Sequence, residues 1–163
     1  MKNNKKPSNP CVLVTGGTGY IGSHTVLALI AAGYEHIIVD NLSNSKVSVL
    51  ERIAKITKKN PPFYKIDLRD SAALNKIFQK HSIASVIHFA GLKSVSESVA
   101  EPLKYYENNI QSTISLGNVM TMRGVKKIIF SSSASVYGEA LIIPIKEDYP
   151  PAPTVSPRLS STP

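Results

Sequence analysis

The chain of 163 residues predicts an α/β fold, a doubly wound parallel sheet. Three observations predict it. Short apolar runs alternate with helix-length segments along most of the sequence. The links between them are short, so each strand–helix–strand passage makes a right-handed crossover between parallel strands, with helices on both faces. A glycine cluster stands where the first run gives way to the first helix.

Taken in order, CVLVT (11–15) is rich in β-branched residues and stops at glycines, which predicts a buried strand. YIGSHTVLALIAA (20–32) reads as a helix closed by Gly33. HIIVD (36–40) is a second strand. KVSVLERIAKITKK (46–59) predicts a helix with Val47, Leu50, Ile53, Ala54 and Ile56 as its apolar stripe. FYKIDL, after Pro61 and Pro62, is a third strand that Asp67 closes. Asp70 caps a helix over SAALNKIFQKH, with Ala73, Leu74, Ile77 and Phe78 on one face. ASVIHFA (84–90) is a fourth strand. Residues 98–123 predict one long helix with Pro102 near its start, and KKIIFSSS (126–133) a fifth strand.

Composition narrows the function classes. Apolar residues make up 42% and charged residues 18%, ordinary for a globular domain. No apolar run is long enough to span a bilayer, so no membrane association is expected. The single cysteine, Cys11, allows no internal disulfide and suits a reducing, cytoplasmic setting. The net charge of +8 raises the question of nucleic acid. Lys2, Lys5 and Lys6 belong to a basic leader (1–10), and the remaining cations are spread along the sequence, adjacent only at Lys58–Lys59 and Lys126–Lys127. No nucleic-acid partner is expected; an electropositive face toward an anionic nucleotide remains compatible with the charge. The four histidines pair with no cysteine or acid at ligand spacing, so no metal site is expected.

The chemistry concentrates at strand ends. Gly17, Gly19 and Gly22 fit G-x-G-x-x-G, and Gly16 adds a fourth glycine, between a strand and a helix. A turn without Cβ atoms lets the backbone approach a pyrophosphate. The last glycine lets helix pack on strand, and the helix N-terminus offers free N–H groups. Asp40 ends the second strand 18 residues after Gly22. A carboxylate there accepts from both ribose hydroxyls of an adenosine and repels a 2′-phosphate, favouring NAD over NADP. Together these predict an NAD-binding Rossmann fold over residues 11–149. Asp67 reads equally as a partner of the adenine amino group or as a helix cap or turn residue. HFAG (88–91) lies where open α/β sheets bind ligands, and Phe89, Ala90 and Gly91 let a cofactor pass close to the backbone. His88 reads as a residue packed in the sheet.

VTGGTGYIGSHT, VDNLSNSK, VIHFAGLKSVSES, PLKYYENN and IIFSSSASVYG, kept in order over roughly residues 11 to 153, resemble the extended short-chain dehydrogenase/reductases, and among them most the UDP-galactose 4-epimerases. The nucleotide-sugar 4,6-dehydratases of the same family carry an acidic pair just before VYG, where this chain has Ala134 and Ser135. The resemblance implies a tightly held NAD, UDP-galactose and UDP-glucose as substrates, and a homodimer of the full-length form. It implies epimerisation through a 4-keto sugar, with a tyrosinate as base. It places Tyr20 and Ile21 at the pyrophosphate; Asp40, Asn41, Asn44 and Ser45 on the adenosine side; Asp67 and Leu68 beside the adenine. Phe89, Ala90, Gly91 and Lys93 would line the cofactor, Asn108 would approach from the long helix, and Ser133 would meet the reacting sugar hydroxyl. Lys93 as a solvated cation and Asn108 as a helix-surface residue are the plain alternatives.

The resemblance also implies a Tyr-x-x-x-Lys motif about 25 residues after Ser133. Arg158 and Thr162 stand at those two positions. A free tyrosine ionises near pH 10 and needs neighbouring positive charge to act as a base at neutral pH; an arginine stays protonated. Residues 150–163 read as a disordered tail rich in proline and serine. The match stopping there suggests a sheet truncated after its fifth strand, without a substrate domain, and a fifth strand left as an exposed edge.

Overall fold

The computed structural model describes residues 11–138 and 142–151, the side chain of Ser135 excepted. Two compact units are distinguished, Met1–Phe130 and Ser131–Pro163.

The first unit holds a five-stranded parallel sheet in the order β3-β2-β1-β4-β5. Its strands are β1 (Cys11–Thr15), β2 (His36–Asp40), β3 (Phe63–Lys65), β4 (Ile83–His88) and β5 (Ile128–Phe130). Thr15 lies opposite both Val39 and His88, so β1 is the central strand. The chain leaves β3 at one edge and re-enters beside β1 as β4. That reversal of direction is the topological switch point of a doubly wound sheet.

Alternation along the strands sorts the core. Val12, Val14 and Ile38 turn to one face, where they meet Val26 of α1 (Tyr20–Ala31) and Ile53 of α2 (Ser48–Thr57). Leu13, Ile37, Val39 and Val86 turn to the other. There they meet Leu74, Ile77 and Phe78 of α3 (Ser71–Lys80), and Leu116, Val119 and Met120 of α6 (Ser112–Met122). Both faces of β1 are buried, which is why CVLVT has no polar alternation. Asp70 caps α3 as its sequence position predicts, its Oδ1 accepting from the Ala73 N–H at 2.9 Å.

Four expectations are corrected. The apolar stripe of α2 is rotated: Leu50 and Ile53 pack inward as predicted, but Val47 and Ile56 are exposed and Val49 joins the packed side instead. β3 is only three residues long, so Asp67 lies in the turn after it. The long helix over 98–123 is broken. α4 (Val95–Ala100) stops, Glu101 takes a non-helical φ of −130° and ψ of 60°, and α5 (Pro102–Tyr105) restarts the helix. The proline ring excludes helical backbone at the residue before it and then serves as a first-turn residue. α5 runs through a π-helical segment, Tyr106–Gln111, into α6. β5 is likewise short.

Among the described residues β5 pairs only with β4, through Val86–Ile128, Ile87–Ile129 and His88–Phe130. Ile128, Ile129 and Phe130 are exposed by 45%, 65% and 55%. The expected exposed edge is therefore present in the sheet as described. In the second unit, Ala134–Tyr137 forms a 3-10 turn whose Val136 N–H donates to the Ser133 carbonyl at 3.1 Å.

Candidate functional site at the switch point

At the C-terminal end of β1 the chain turns through Gly16, whose φ is +68°. A Cβ there would lie 2.7 Å from the Ala90 nitrogen and 2.8 Å from the Phe89 carbonyl carbon. Only glycine satisfies both the left-handed backbone and this approach of β1 to the end of β4. Gly22, in the first turn of α1, has an ordinary backbone but leaves no room: a Cβ would meet the Gly16 carbonyl oxygen at 2.2 Å. The helix is thus seated directly on the loop. Gly17 leaves space for Ile38 of β2, and Gly19, the N-cap, provides no side-chain cap. The first N–H groups of α1 have no intrahelical acceptors and lie beside the exposed Tyr20 and Ile21.

Asp40 fastens this loop to β2. Its Oδ2 accepts from the Thr18 N–H at 3.1 Å, and its Oδ1 from the Leu42 N–H at 2.9 Å and the Ser45 hydroxyl at 3.3 Å. Thr18 is 2% exposed, and its hydroxyl meets that of Ser45 at 2.6 Å. Sequence reasoning missed Thr18; the x of G-x-G-x-x-G carries no pattern that reveals a main-chain donor.

Asp67 is fully engaged. Its two oxygens accept from the Arg69 Nε, Nη2 and backbone N–H at 2.9–3.0 Å, and from Asn41 Nδ2 at 3.1 Å. The hydrogen-bonded Arg69 guanidinium holds the carboxyl well below the usual carboxylate range. Leu68 is 5% exposed and its side chain belongs to the core. Asn44 is exposed on the β2–α2 connection.

After β4, Phe89 and Ala90 lie against Gly16, and Gly91 and Lys93 are exposed on the loop that follows. Asn109, rather than Asn108, holds this loop. Its Oδ1 accepts from the Leu92 N–H at 2.8 Å and its Nδ2 donates to the Leu92 carbonyl at 2.9 Å. Asn108 donates to Asn109 at 3.1 Å. The only sequence hint was a pair of asparagines, which does not say which one reaches the loop. His88 is packed as predicted: 1% exposed, its Nδ1 2.6 Å from the Thr15 hydroxyl and its Nε2 3.1 Å from that of Thr113. Burial pushes its pKa down.

Ser133 lies in the second unit and its side chain is exposed. Arg158 and Thr162 lie outside the described residues. Among the described residues no group of His, Cys, Asp and Glu is placed to hold a metal, and no helix is long and apolar enough to cross a membrane.

The electropositive face is not here. The strand-to-helix connections carry Lys46, Arg69 and Lys93 beside Asp67 and Asp70, with Asp40 at the end of β2. Lys58, Lys59, Arg123, Lys126 and Lys127 lie in the helix-to-strand connections, at the opposite end of the sheet.

Known proteins share this arrangement. A family model described as GDP-mannose 4,6 dehydratase matches residues 13–157. The UDP-glucose 4-epimerase of Neisseria gonorrhoeae is 55% identical over 146 residues, which span 90% of this chain and 43% of that protein. The UDP-glucose 4-epimerase of Bacillus subtilis is 55% identical over 139 residues, 85% of this chain and 41% of the relative. The chain thus spans less than half the length of these relatives. The crystal structure of the Stenotrophomonas maltophila enzyme, with bound NAD and formylated UDP-arabinopyranose, superposes with a TM-score of 0.84 at 45% identity, covering 88% of this chain and 43% of that one. The Bifidobacterium longum enzyme, in complex with NAD+ and UDP, gives a TM-score of 0.84 at 51% identity, covering 87% and 42%. The family takes its description from a dehydratase, while these relatives bear the epimerase name. With the strand order of a doubly wound sheet, a glycine loop seated at its switch point and a family match over residues 13–157, the chain belongs to the GDP-mannose 4,6 dehydratase family.

Proposed function

We propose that this chain is the NAD-binding part of a UDP-glucose 4-epimerase, and that it binds NAD without completing the epimerisation. The observation that carries the reading is the loop of Gly16, Gly17, Gly19 and Gly22, seated on α1 and tied to β2 through Thr18, Asp40 and Ser45. Bound there, NAD supplies a reversible hydride acceptor.

Tyr20 and Ile21 present the N–H groups of the first helical turn to the pyrophosphate. Asp40 holds the loop with three of its four acceptor sites, leaving one on Oδ2 for a ribose hydroxyl. A second ribose bond requires Ser45 to turn away. Asn41 and Asn44 flank the adenosine. Asp67 receives the adenine amino group only when Arg69 or Asn41 releases an acceptor site, and Leu68 contributes through its main chain. Phe89, Ala90 and Gly91 form the floor beside the glycine loop, and Lys93 brings a cation toward the phosphates. Asn108 acts through Asn109. Ser133 is assigned to the sugar hydroxyl. UDP-galactose and UDP-glucose are the proposed substrates of the complete enzyme.

Residues 11–149 form the proposed cofactor domain. Arg158 and Thr162 stand where the resemblance places the Tyr-x-x-x-Lys base, which supports binding without turnover. A homodimer of the full-length form has an apolar surface at hand: Leu103, Tyr106, Ile110 and Ile114, spaced three and four apart, are exposed by 49–75%. Pairing with full-length subunits is favoured by the edge of β5, which has no second strand beside it among the described residues. A cytoplasmic setting fits the single thiol.

Two measurements test the reading: an NAD titration, and conversion of UDP-galactose to UDP-glucose. Saturable NAD binding with no turnover is expected. Turnover at the rate of an intact epimerase would sink the claim about the base. No binding at millimolar NAD would sink the cofactor site.

A further inference from the structure

The cations of this chain, scattered in sequence, converge in space. Every helix-to-strand connection of a parallel sheet returns to the same end. Here those connections, with the last helical turns before them, carry Lys55, Lys58, Lys59, Lys80, Arg123, Lys126 and Lys127, against Glu35 as their one acid. A single cation at each helix C-terminus is the usual complement to the helix dipole. That accounts for Lys55 and Lys80 but not for the pairs outside the helices.

Within this end lies a cleft of about 260 Å³. Lys80, His81 and Arg123 stand on its rim, over apolar Phe78, Ile83 and Val125. Burial and the neighbouring Lys80 push the His81 pKa down, so the standing charges are Lys80 and Arg123, and neither belongs to an ion pair among the described residues. Each is held by a neutral partner instead. Arg123 Nε donates to Asn75 Oδ1 at 2.7 Å. Lys80 Nζ sits 5.5 Å from the centre of the Tyr64 ring, and the Tyr64 hydroxyl meets His81 Nε2 at 2.7 Å. The side chains are oriented without being neutralised, and Arg123 keeps the outer edge of its guanidinium for a ligand. Lys126 and Lys127 continue directly from Val125 of the cleft wall.

We propose that this cleft, at the end of the sheet opposite the dinucleotide site, binds a small ligand carrying two or more phosphate groups. Arg123 takes one phosphate as a planar fork. Lys80 and the Lys126–Lys127 pair take the neighbouring charge. The apolar floor accommodates a carbon skeleton, so the site fits an organic oligophosphate better than free phosphate.

The probe is tripolyphosphate, titrated into the whole isotope-labelled chain and followed by amide NMR shifts. Saturable one-to-one binding is expected, with shifts over residues 78–83 and 123–127. Arg123→Gln and Lys80→Gln should each weaken it about tenfold, the loss of one charge-assisted contact. Both side chains are exposed, and unchanged circular dichroism checks the fold of each variant. Lys65→Gln, at the other end of β3, should leave affinity unchanged. Shifts confined to the glycine loop, or equal affinity in Arg123→Gln, would overturn the proposal. So would failure to saturate at millimolar tripolyphosphate while an RNA oligonucleotide binds with steep salt dependence, which would make this end a nucleic-acid surface.

Discussion

Replacing Gly22 with alanine adds one methyl group at the tightest point of the molecule. The new Cβ would stand 2.2 Å from the Gly16 oxygen and 2.9 Å from both the Gly16 carbonyl carbon and Gly17 Cα. These are main-chain atoms, so no rotamer relieves the overlap. A tolerable carbon–oxygen contact is about 3.3 Å or longer, so α1 must withdraw by about 1 Å. Val26, fully buried on α1, then lifts from Val12, Val14 and Ile38. A gap of that size forfeits roughly a quarter to a half of each dispersion contact across it. Overpacking of this kind costs about 1–3 kcal/mol, and an unyielding backbone puts Gly22→Ala near the top of that range. The assay is urea unfolding, with stability taken from midpoint and slope. Gly19→Ala is the control: its Cβ meets the same oxygen at 3.2 Å with no positive φ, and it should cost less than about 1 kcal/mol. Equal stability of the two variants would refute the seating of helix on loop.

Other outcomes follow from the same structure. Gly117→Ala, in α6 with nothing within 4 Å of its Cβ, should raise stability by about 0.5–1 kcal/mol in the same urea assay. His88 is kept neutral by burial, so its folded pKa lies below the unfolded value. The unfolded chain then binds the extra proton, and stability should fall as pH drops below about 6.5. His88→Gln should be less stable at pH 7.5 yet show a flatter decline toward pH 5, as followed by thermal melts. Asp67 has a depressed pKa, so the stability it contributes is present above about pH 4 and is lost as pH falls through its folded value. The pair is partly exposed, so Asp67→Asn should cost under about 1 kcal/mol at pH 7 and remove that acid limb. Asn109→Ala should cost about 1–2 kcal/mol and speed amide exchange at Leu92, whereas Asn108→Ala should leave that exchange unchanged.

The first two strands were legible because a parallel sheet writes its buried strands as apolar runs, and CVLVT and HIIVD fall where the runs fall. The glycine loop was legible because backbone contacts leave glycine at fixed spacing. Ties between distant elements were not. Thr18 meets Ser45 across 27 residues and Asn109 reaches Leu92 across 17, and neither pair has a period or a motif. The break at Pro102 was visible in principle, since the residue before a proline avoids helical backbone, but the apolar pattern on both sides concealed it. The gathering of charge was hidden for a geometric reason. Cations spaced along the chain look dispersed until the crossovers gather them at one end of the sheet.

The central position of β1 has a consequence for the order of events during synthesis. Its neighbour on one side, β2, follows within a few tens of residues, but β4 does not: Thr15 waits for His88, 73 residues later. At about 5–20 residues per second, β1 is made roughly 4 to 15 s before β4. Throughout that interval a flank of the most buried strand has no partner. The nascent chain depends on α1 and α2 to hold β1 against β2 until the switch point can close.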